Sequence, residues 1–224
     1  MTGDERLNAF IDSLDTGNTP FLHIIEREAK ETDVPIIRTQ VQGLIKLLLA
    51  MRRPASILEV GCAIGFSALL MSEYGPAGCH ITTIEKYEKR IPIARENFRR
   101  AGKEEQITLL EGDAVDILGG LQGSYDMIFM DAAKAQYIRF LPDVVRLLAP
   151  GGILLSDNVL QDGDIIESRF AVERRNRTIH ARMREYLYML THCEALTTSV
   201  LTTGDGVTVS VKNHDSPEQG AEEV

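Results

Sequence analysis

Five short apolar runs, each followed by a stretch of helical period, narrow the folds open to this chain more than any other feature. The runs cover residues 56–60, 80–84, 107–110, 127–130 and 152–156, and the stretches 67–74, 88–101, 114–120 and 136–148 between them read as helices. Parallel strands need a crossover of roughly a dozen residues or more, and a helix is the usual one. The pattern predicts an α/β chain: a mostly parallel sheet with helices on its faces. Pro150-Gly151-Gly152 predicts a sharp turn into the fifth strand. Ahead of the sheet, helices are expected to about residue 51, with Val41, Leu44, Leu47, Leu48 and Met51 near i, i+3, i+4 spacing. The final third departs from the pattern. A helix over about 172–190 precedes two alternating runs, 196–203 and 207–212, which flank Gly204-Asp205-Gly206. That compact turn predicts a C-terminal antiparallel hairpin closing the sheet. The expected organisation is one domain over residues 1–212, with N-terminal helices 1–51 packed on it, and a disordered acidic tail over 213–224.

Composition sets the outer limits. With 224 residues, 44% of them apolar, the chain can bury a full core. A net charge of −9 argues against a protein that coats nucleic acid, although a local basic patch stays possible. Cys62, Cys79 and Cys193 are too scattered for a disulfide framework or a zinc cluster and suit a reducing cytoplasm. Residues 1–10 carry charges where a signal peptide needs an apolar run, and no stretch approaches the ~20 apolar residues of a membrane span. A cytoplasmic location is expected, with no membrane partner.

Ligands of open α/β sheets sit at the C-terminal ends of the strands, and here those ends carry polar residues. The first strand runs into Glu59-Val60-Gly61-Cys62-Ala63-Ile64-Gly65-Phe66-Ser67, whose two glycines let the chain turn tightly and admit a ligand to its backbone. A dinucleotide fingerprint needs glycine at 63 and glycine or alanine at 66; Ala63 and Phe66 stand there, which disfavours NAD. Glu59 argues the same way, being a poor neighbour for pyrophosphate and a good one for the cationic aminopropyl end of S-adenosylmethionine. The plain alternative is a glycine turn that only joins strand to helix. Glu85 ends the second strand, placed to accept from both ribose hydroxyls, and Asp113-Ala114 follow the third, placed for an adenine amino group. Either acid is also a candidate helix N-cap. Asp131 follows the fourth strand and Asp157-Asn158 the fifth. Two carboxylates and an amide carbonyl are hard oxygen donors suited to Mg²⁺, Mn²⁺ or Ca²⁺, unless Asp131 caps a helix and Asp157-Asn158 form a turn.

Together these motifs resemble the cation-dependent O-methyltransferases, the family of the catechol and caffeoyl-CoA enzymes. The similarity covers about residues 34–212 through the loop from Glu59 to Ser67, Glu85, Gly112-Asp113-Ala114, Asp131-Ala132-Ala133-Lys134, Ser156-Asp157-Asn158-Val159 and Gly204-Asp205-Gly206. It implies a Rossmann-like methyltransferase fold that takes S-adenosylmethionine and a divalent cation, Mg²⁺ first. It implies Gly61 and Ser67 at the methionine end of the cofactor, Glu85 at the ribose, Asp113-Ala114 at the adenine, and Asp131, Asp157 and Asn158 on the metal, with Asp131 also touching the cofactor. A backbone contact from around Ile37 is implied too, although that segment lacks the family's Thr/Ser-rich, acidic pattern.

Within the family the chain is most similar to the bacterial tRNA 5-hydroxyuridine methyltransferases, through residues 131–137, 157–160, the arginine-rich segment and the final hairpin. That likeness implies methylation of wobble 5-hydroxyuridine to 5-methoxyuridine in the anticodon loop of tRNA. Residues 169–184 add physical support, with six arginines against the single Glu173. Arg174, Arg175 and Arg177 are the expected phosphate contacts, with a solvated, ion-paired face as the alternative. A small catechol-like or CoA-linked phenol is the second substrate reading, and a cofactor-binding protein without catalysis the third. Both substrates offer two adjacent oxygens to one metal, which lowers a hydroxyl pKa and aims its lone pair at the sulfonium methyl. Lys134, with Asp131 the expected catalytic residue, is placed to accept the proton or stabilise the oxyanion; an exposed helix-start lysine is its plain alternative. A homodimer is the expected assembly.

Overall fold

A computed structural model of the chain describes residues 3–168 and 170–214. Three helices, α1 (Gly3–Asp12), α2 (Pro20–Glu31) and α3 (Thr39–Arg52), precede the sheet. Strands and helices then alternate: β1 (Ser56–Val60), α4 (Phe66–Tyr74), β2 (His80–Glu85), α5 (Ile91–Arg100), β3 (Ile107–Glu111), α6 (Ala114–Gly120), β4 (Tyr125–Met130), α7 (Tyr137–Leu147) and β5 (Leu148–Ser156). After α8 (Arg177–Thr191), β6 (Leu196–Leu201) and β7 (Val207–Lys212) form the hairpin. Short 3₁₀ turns occupy Lys134–Gln136 and Gln161–Ile166.

The strand order is β3-β2-β1-β4-β5-β7-β6. Strands β1 to β5 are parallel, and β7 inserts antiparallel between β5 and β6. The α/β, Rossmann-like architecture expected from the alternation is therefore present, hairpin included. Alternate residues of the central strands feed opposite faces, as the two-residue period of a strand requires. Ile57, Ile81, Phe129 and Leu155 pack with α3 and α4 on one face. Leu58, Val60, Ile128 and Leu154 pack with α7 and α8 on the other. Chain order reverses between β1 and β4, so the ends of these two strands flank the crevice where sheets of this kind bind ligands.

Three local expectations need correction, and a fourth falls almost wholly outside the described residues. Pro150-Gly151-Gly152 lies within β5 as a bulge, where the pairing with β4 jumps from Tyr125↔Leu148 to Met127↔Ile153. On α3 the inward face is Val41, Ile45, Leu48 and Leu49, whereas Leu47 and Met51 are exposed. Apolar residues crowd that helix too densely for spacing alone to choose a face. Helix α8 begins at Arg177 rather than near 172, because residues 173–176 form a turn closed by Asn176 N–H donating to Glu173 O at 2.8 Å. The expected acidic tail lies outside the described residues from position 215, as does Arg169, while the Asn213 backbone N–H donates to Ala195 O at 2.9 Å. Among the described residues no helix is long and apolar enough to cross a membrane.

Candidate active site

The crevice at the reversal point is a cavity of about 500 Å³ whose walls include Gly61, Glu85, Asp113, Ala114 and Asp131. Five of the predicted cofactor residues thus share one space. Gly61, at φ +103°, comes so close to the end of β4 that a Cβ there would sit 2.3 Å from Asp131 O. No larger residue fits. Glu85 organises the loop: Oε2 accepts from Ala63 N–H at 2.7 Å, and Oε1 accepts from the N–H groups of Lys86 and Tyr87 at 2.9 and 2.8 Å. It thereby holds Ala63 in its left-handed conformation, φ +48°. Asp113 is both cap and wall. Its Oδ1 accepts from Val115 N–H at 3.0 Å at the start of α6, and Lys86 Nζ lies 3.3 Å from Oδ2. The cap first, and then Lys86, hold its carboxyl below the usual range.

Glu59, Ser67 and Ile37 stand elsewhere. Glu59 is fully buried, its Oε2 accepting from the Thr83 hydroxyl while Oε1 lacks a hydrogen-bond partner among the described residues. Burial pushes its carboxyl up to about 7; the Ser67 and Thr83 hydroxyls pull the other way, and the charges of Asp131 and Glu85 add to the rise. Ser67 is buried in the first turn of α4. The Ile37 side chain belongs to the core and its carbonyl accepts from Gln42 Nε2 at 3.0 Å, so the crevice walls do not include it.

Beside the crevice, the ends of β4 and β5 bring Asp131, Asp157 and Asn158 together. Asn158 Nδ2 donates to Asp131 Oδ1 at 3.0 Å, and Asn158 N–H donates to Asp157 Oδ1 at 2.7 Å. The Tyr137 hydroxyl ties the two strand ends, bonding Met130 O at 3.0 Å and Asp157 O at 3.1 Å. Asp131 does not cap a helix. Burial raises its carboxyl pKa, against Asn158 and the Lys134 charge. Asp157 is pushed up to about 7 by burial and then by the neighbouring Asp131 charge; Asp205 adds to the rise and Arg38 opposes it. Among the described residues no three His, Cys, Asp or Glu side chains form a ready metal cluster, so this donor set of two carboxylates and an amide is the candidate. A cation would offset the burial that raises both acids and the Asp131 charge that adds to the rise at Asp157. Lys134 is not a free surface lysine: its Nζ lies 3.1 Å from Asp205 Oδ2 in the β6–β7 turn.

A family model described as O-methyltransferase matches residues 17–213 of the chain. The chain belongs to the O-methyltransferase family. A catechol O-methyltransferase of Niastella koreensis is 30% identical over 168 residues, 73% of this chain and 70% of that one. A catechol O-methyltransferase of Mycobacterium tuberculosis is 30% identical over 164 residues, 71% and 74% of the two chains. The SAH-bound crystal structure of the Podospora anserina methyltransferase PaMTH1 superposes with a TM-score of 0.84 at 26% identity, covering 94% of this chain and 95% of that one.

In this O-methyltransferase the arginine run is not one helical stripe. Arg174 and Arg175 precede α8, and Arg175 Nε pairs with Glu173 at 2.7 Å. Arg177 donates to the carbonyls of Val172 and Phe170 at 3.2 and 3.3 Å, Arg182 to Ala135 O at 3.1 Å and Arg184 to Ile165 O at 2.8 Å. Arg177 and Arg184 thus tie the segment between β5 and α8 to that helix, and Arg182 ties α8 to the turn after β4. The sequence reading also missed Lys86, Tyr87, Arg90, Gln136 and Phe140 on the crevice wall. Gln136 and Phe140 sit four apart at the start of α7, a spacing that could have flagged them once Asp131 was placed.

Proposed function

We propose that this O-methyltransferase moves the methyl group of S-adenosylmethionine onto one of two adjacent hydroxyls of a small catechol-type phenol, with the help of a divalent cation. The observation that carries the reading is the meeting of Asp131, Asp157 and Asn158 at the lip of the crevice that Gly61 and Glu85 line. The residues present fit both groups. Gly61 leaves room for a ligand against bare backbone, the buried Oε1 of Glu59 has no hydrogen-bond partner among the described residues, and burial disfavours Asp131 and Asp157 as bare carboxylates, which a cation would offset. SAH, present in the Podospora anserina structure, is what S-adenosylmethionine becomes on losing its methyl. When bound, a hard cation supplies Lewis acidity to a substrate with two adjacent oxygens, and S-adenosylmethionine supplies the methyl group.

The chain's residues do the rest. Asp131 and Asp157 hold the cation through carboxylate oxygens and Asn158 through its amide oxygen. Glu85, fixed by three backbone N–H groups, presents the free lone pair of Oε2 to a ribose hydroxyl, and Asp113 with Ala114 bounds the adenine. The Lys134 ammonium, held by Asp205, would steady the oxyanion left when the hydroxyl proton passes to solvent. The small-phenol reading displaces the tRNA reading that the arginines suggested, because Arg175 and Arg177 are engaged within the chain and the two bacterial relatives bear catechol names. The test is an assay of the purified enzyme with S-adenosylmethionine and Mg²⁺ on catechol, on its 1,3-isomer, and on tRNA carrying 5-hydroxyuridine. Catechol should be methylated and the 1,3-isomer left untouched. Methylation of the tRNA with catechol unchanged would overturn the substrate assignment.

A further inference from the structure

The hydrogen-bond ladder between β4 and β5 ends at Asp157, whose N–H donates to Met130 O at 2.9 Å. One residue on, the chain takes an unfavourable turn. Asn158 has φ +61°, in the left-handed region that a residue with a Cβ enters only where its surroundings hold it, although asparagine tolerates it better than most. The peptide between Asp157 and Asn158 is held at both ends. Its N–H donates to Asp157 Oδ1 at 2.7 Å, and its carbonyl accepts from the Tyr137 hydroxyl at 3.1 Å. The same hydroxyl lies 3.0 Å from Met130 O. A phenol carries one proton, so that proton is shared between the last carbonyl of β4 and the carbonyl of Asp157.

We propose that Tyr137 is a positioning residue for the divalent cation, setting the spacing and direction of Asp131, Asp157 and Asn158 before the site is filled. The inference rests on the reading of those three residues as cation ligands. Asp131 follows the Met130 carbonyl directly, and Asp157 and Asn158 share the held peptide, so one hydroxyl borders all three. Its own place is fixed. The Tyr137 ring is fully buried at the start of α7, edge-on to Tyr186 of α8 with ring centroids 5.4 Å apart. The Tyr186 hydroxyl lies 2.6 Å from Ser156 Oγ. Two phenols thus reach the end of β5 from different helices, Tyr186 to a side chain and Tyr137 to a peptide plane. Only the second passes its orientation straight to the groups that would meet a cation. Hydrogen-bond partners just behind a metal's ligands commonly fix ligand direction in this way.

Tyr137→Phe keeps the buried ring and removes only the hydroxyl. Calorimetric titration of Mn²⁺ into the metal-free enzyme should show binding weakened by roughly 10- to 100-fold, the usual effect of losing such a partner, while affinity for S-adenosylmethionine stays within about two-fold. At saturating Mn²⁺, single-turnover methylation of catechol should return to near the wild-type rate, because a filled site imposes the ligand geometry that the hydroxyl otherwise holds in advance. Tyr186→Phe controls for a loosened core. It removes a buried hydroxyl bond at the same strand end without touching the Asp157 peptide, so Mn²⁺ affinity should stay within about two-fold. Equal weakening in the two variants would make the effect one of packing and overturn the proposal, as would unchanged Mn²⁺ affinity in Tyr137→Phe. A wild-type enzyme that binds S-adenosylmethionine but no Mn²⁺ would remove the cation reading beneath it as well. If Tyr137→Phe does not fold, hydrogen exchange of the metal-free wild type decides. The Asn158 amide should exchange as slowly as the amides of β5, and rapid exchange would contradict a peptide plane fixed in advance.

Discussion

The cofactor half of the crevice and the acceptor half are built by different means. At the ends of β1 to β3 the structure relies on backbone: Gly61 against Asp131 O, three N–H groups converging on Glu85, and Asp113 closing the first turn of α6. Each contact is complete without a ligand. At the ends of β4 and β5 the groups are side chains: two buried acids whose carboxyls burial pushes up, with the charges of Asp131 and Asp205 adding to the rise at Asp157. On the proposed reading a cation completes that half. Cofactor binding and catalysis should therefore be separable by mutation, and the apo protein should carry its electrostatic cost in known places.

Asp157→Ala should break the halves apart most sharply. Loss of a metal ligand should lower turnover by about 10³-fold, in line with the several kcal/mol a Lewis acid supplies, while the cofactor crevice, whose wall Asp157 does not form, stays intact. Steady-state kinetics beside calorimetric titration of S-adenosylmethionine reads both; a parallel collapse of affinity would mean that the halves are one unit.

Glu59→Gln probes the buried acid behind the glycine loop. The folded carboxyl titrates near 7 against 4.5 for the ordinary group, so between those values the native state binds more protons than the unfolded chain. The wild type therefore loses stability as pH rises through this window, by a ceiling of about 3 kcal/mol, and glutamine does not. Urea unfolding of the apo forms should show the variant to be the more stable at pH 8, with the gap closing at pH 5. A gap independent of pH would rule out a buried ionisation. The same variant should bind S-adenosylmethionine more weakly, having lost the negative charge behind the loop.

Glu85→Ala should weaken S-adenosylmethionine by about 1 to 3 kcal/mol, the scale for leaving hydrogen-bonding groups unmet. Part of that loss reflects the release of Ala63 from its left-handed conformation, and Glu85→Gln separates the two effects because an amide oxygen can still accept from Ala63 N–H. Turnover at saturating cofactor should be nearly unchanged for both. Unaltered affinity in calorimetry would remove Glu85 from the site. The smallest effect is expected for Arg174→Ala with Arg175→Ala, two exposed side chains ahead of α8. Their loss should change kcat/KM for catechol by less than about two-fold, as for surface charges generally. A large drop on tRNA, with a flattened salt dependence, would instead revive phosphate contact at this face.

What was legible in the sequence follows the same division. Residues that act beside their own strand end, such as Gly61, Glu85 and Asp113, could be placed from strand pattern and spacing because backbone geometry ties them to the strand before them. The placing of Asp131, Asp157 and Asn158 at neighbouring strand ends was readable for the same reason. The Lys134–Asp205 pair was not, since no local period links residues 71 apart and an aspartate in a Gly-Asp-Gly turn looks complete as a turn. The arginine segment was legible as charge but not as structure. Charge counting shows six guanidinium groups but cannot show that Arg177 and Arg184 donate to carbonyls of the segment between β5 and α8 and Arg182 to one in the turn after β4. The bulge in β5 was read as a turn because Pro-Gly-Gly breaks a strand by its own preference, and only pairing with β4 on both sides carries the strand through it.

The most direct test of an acceptor half completed by a cation is metal removal with both halves watched at once. Enzyme stripped with EDTA and dialysed should bind S-adenosylmethionine with nearly unaltered affinity by calorimetry, yet fail to methylate catechol, and added Mg²⁺ or Mn²⁺ should restore turnover. Undiminished methylation of catechol by protein shown by elemental analysis to hold no divalent metal would contradict the account.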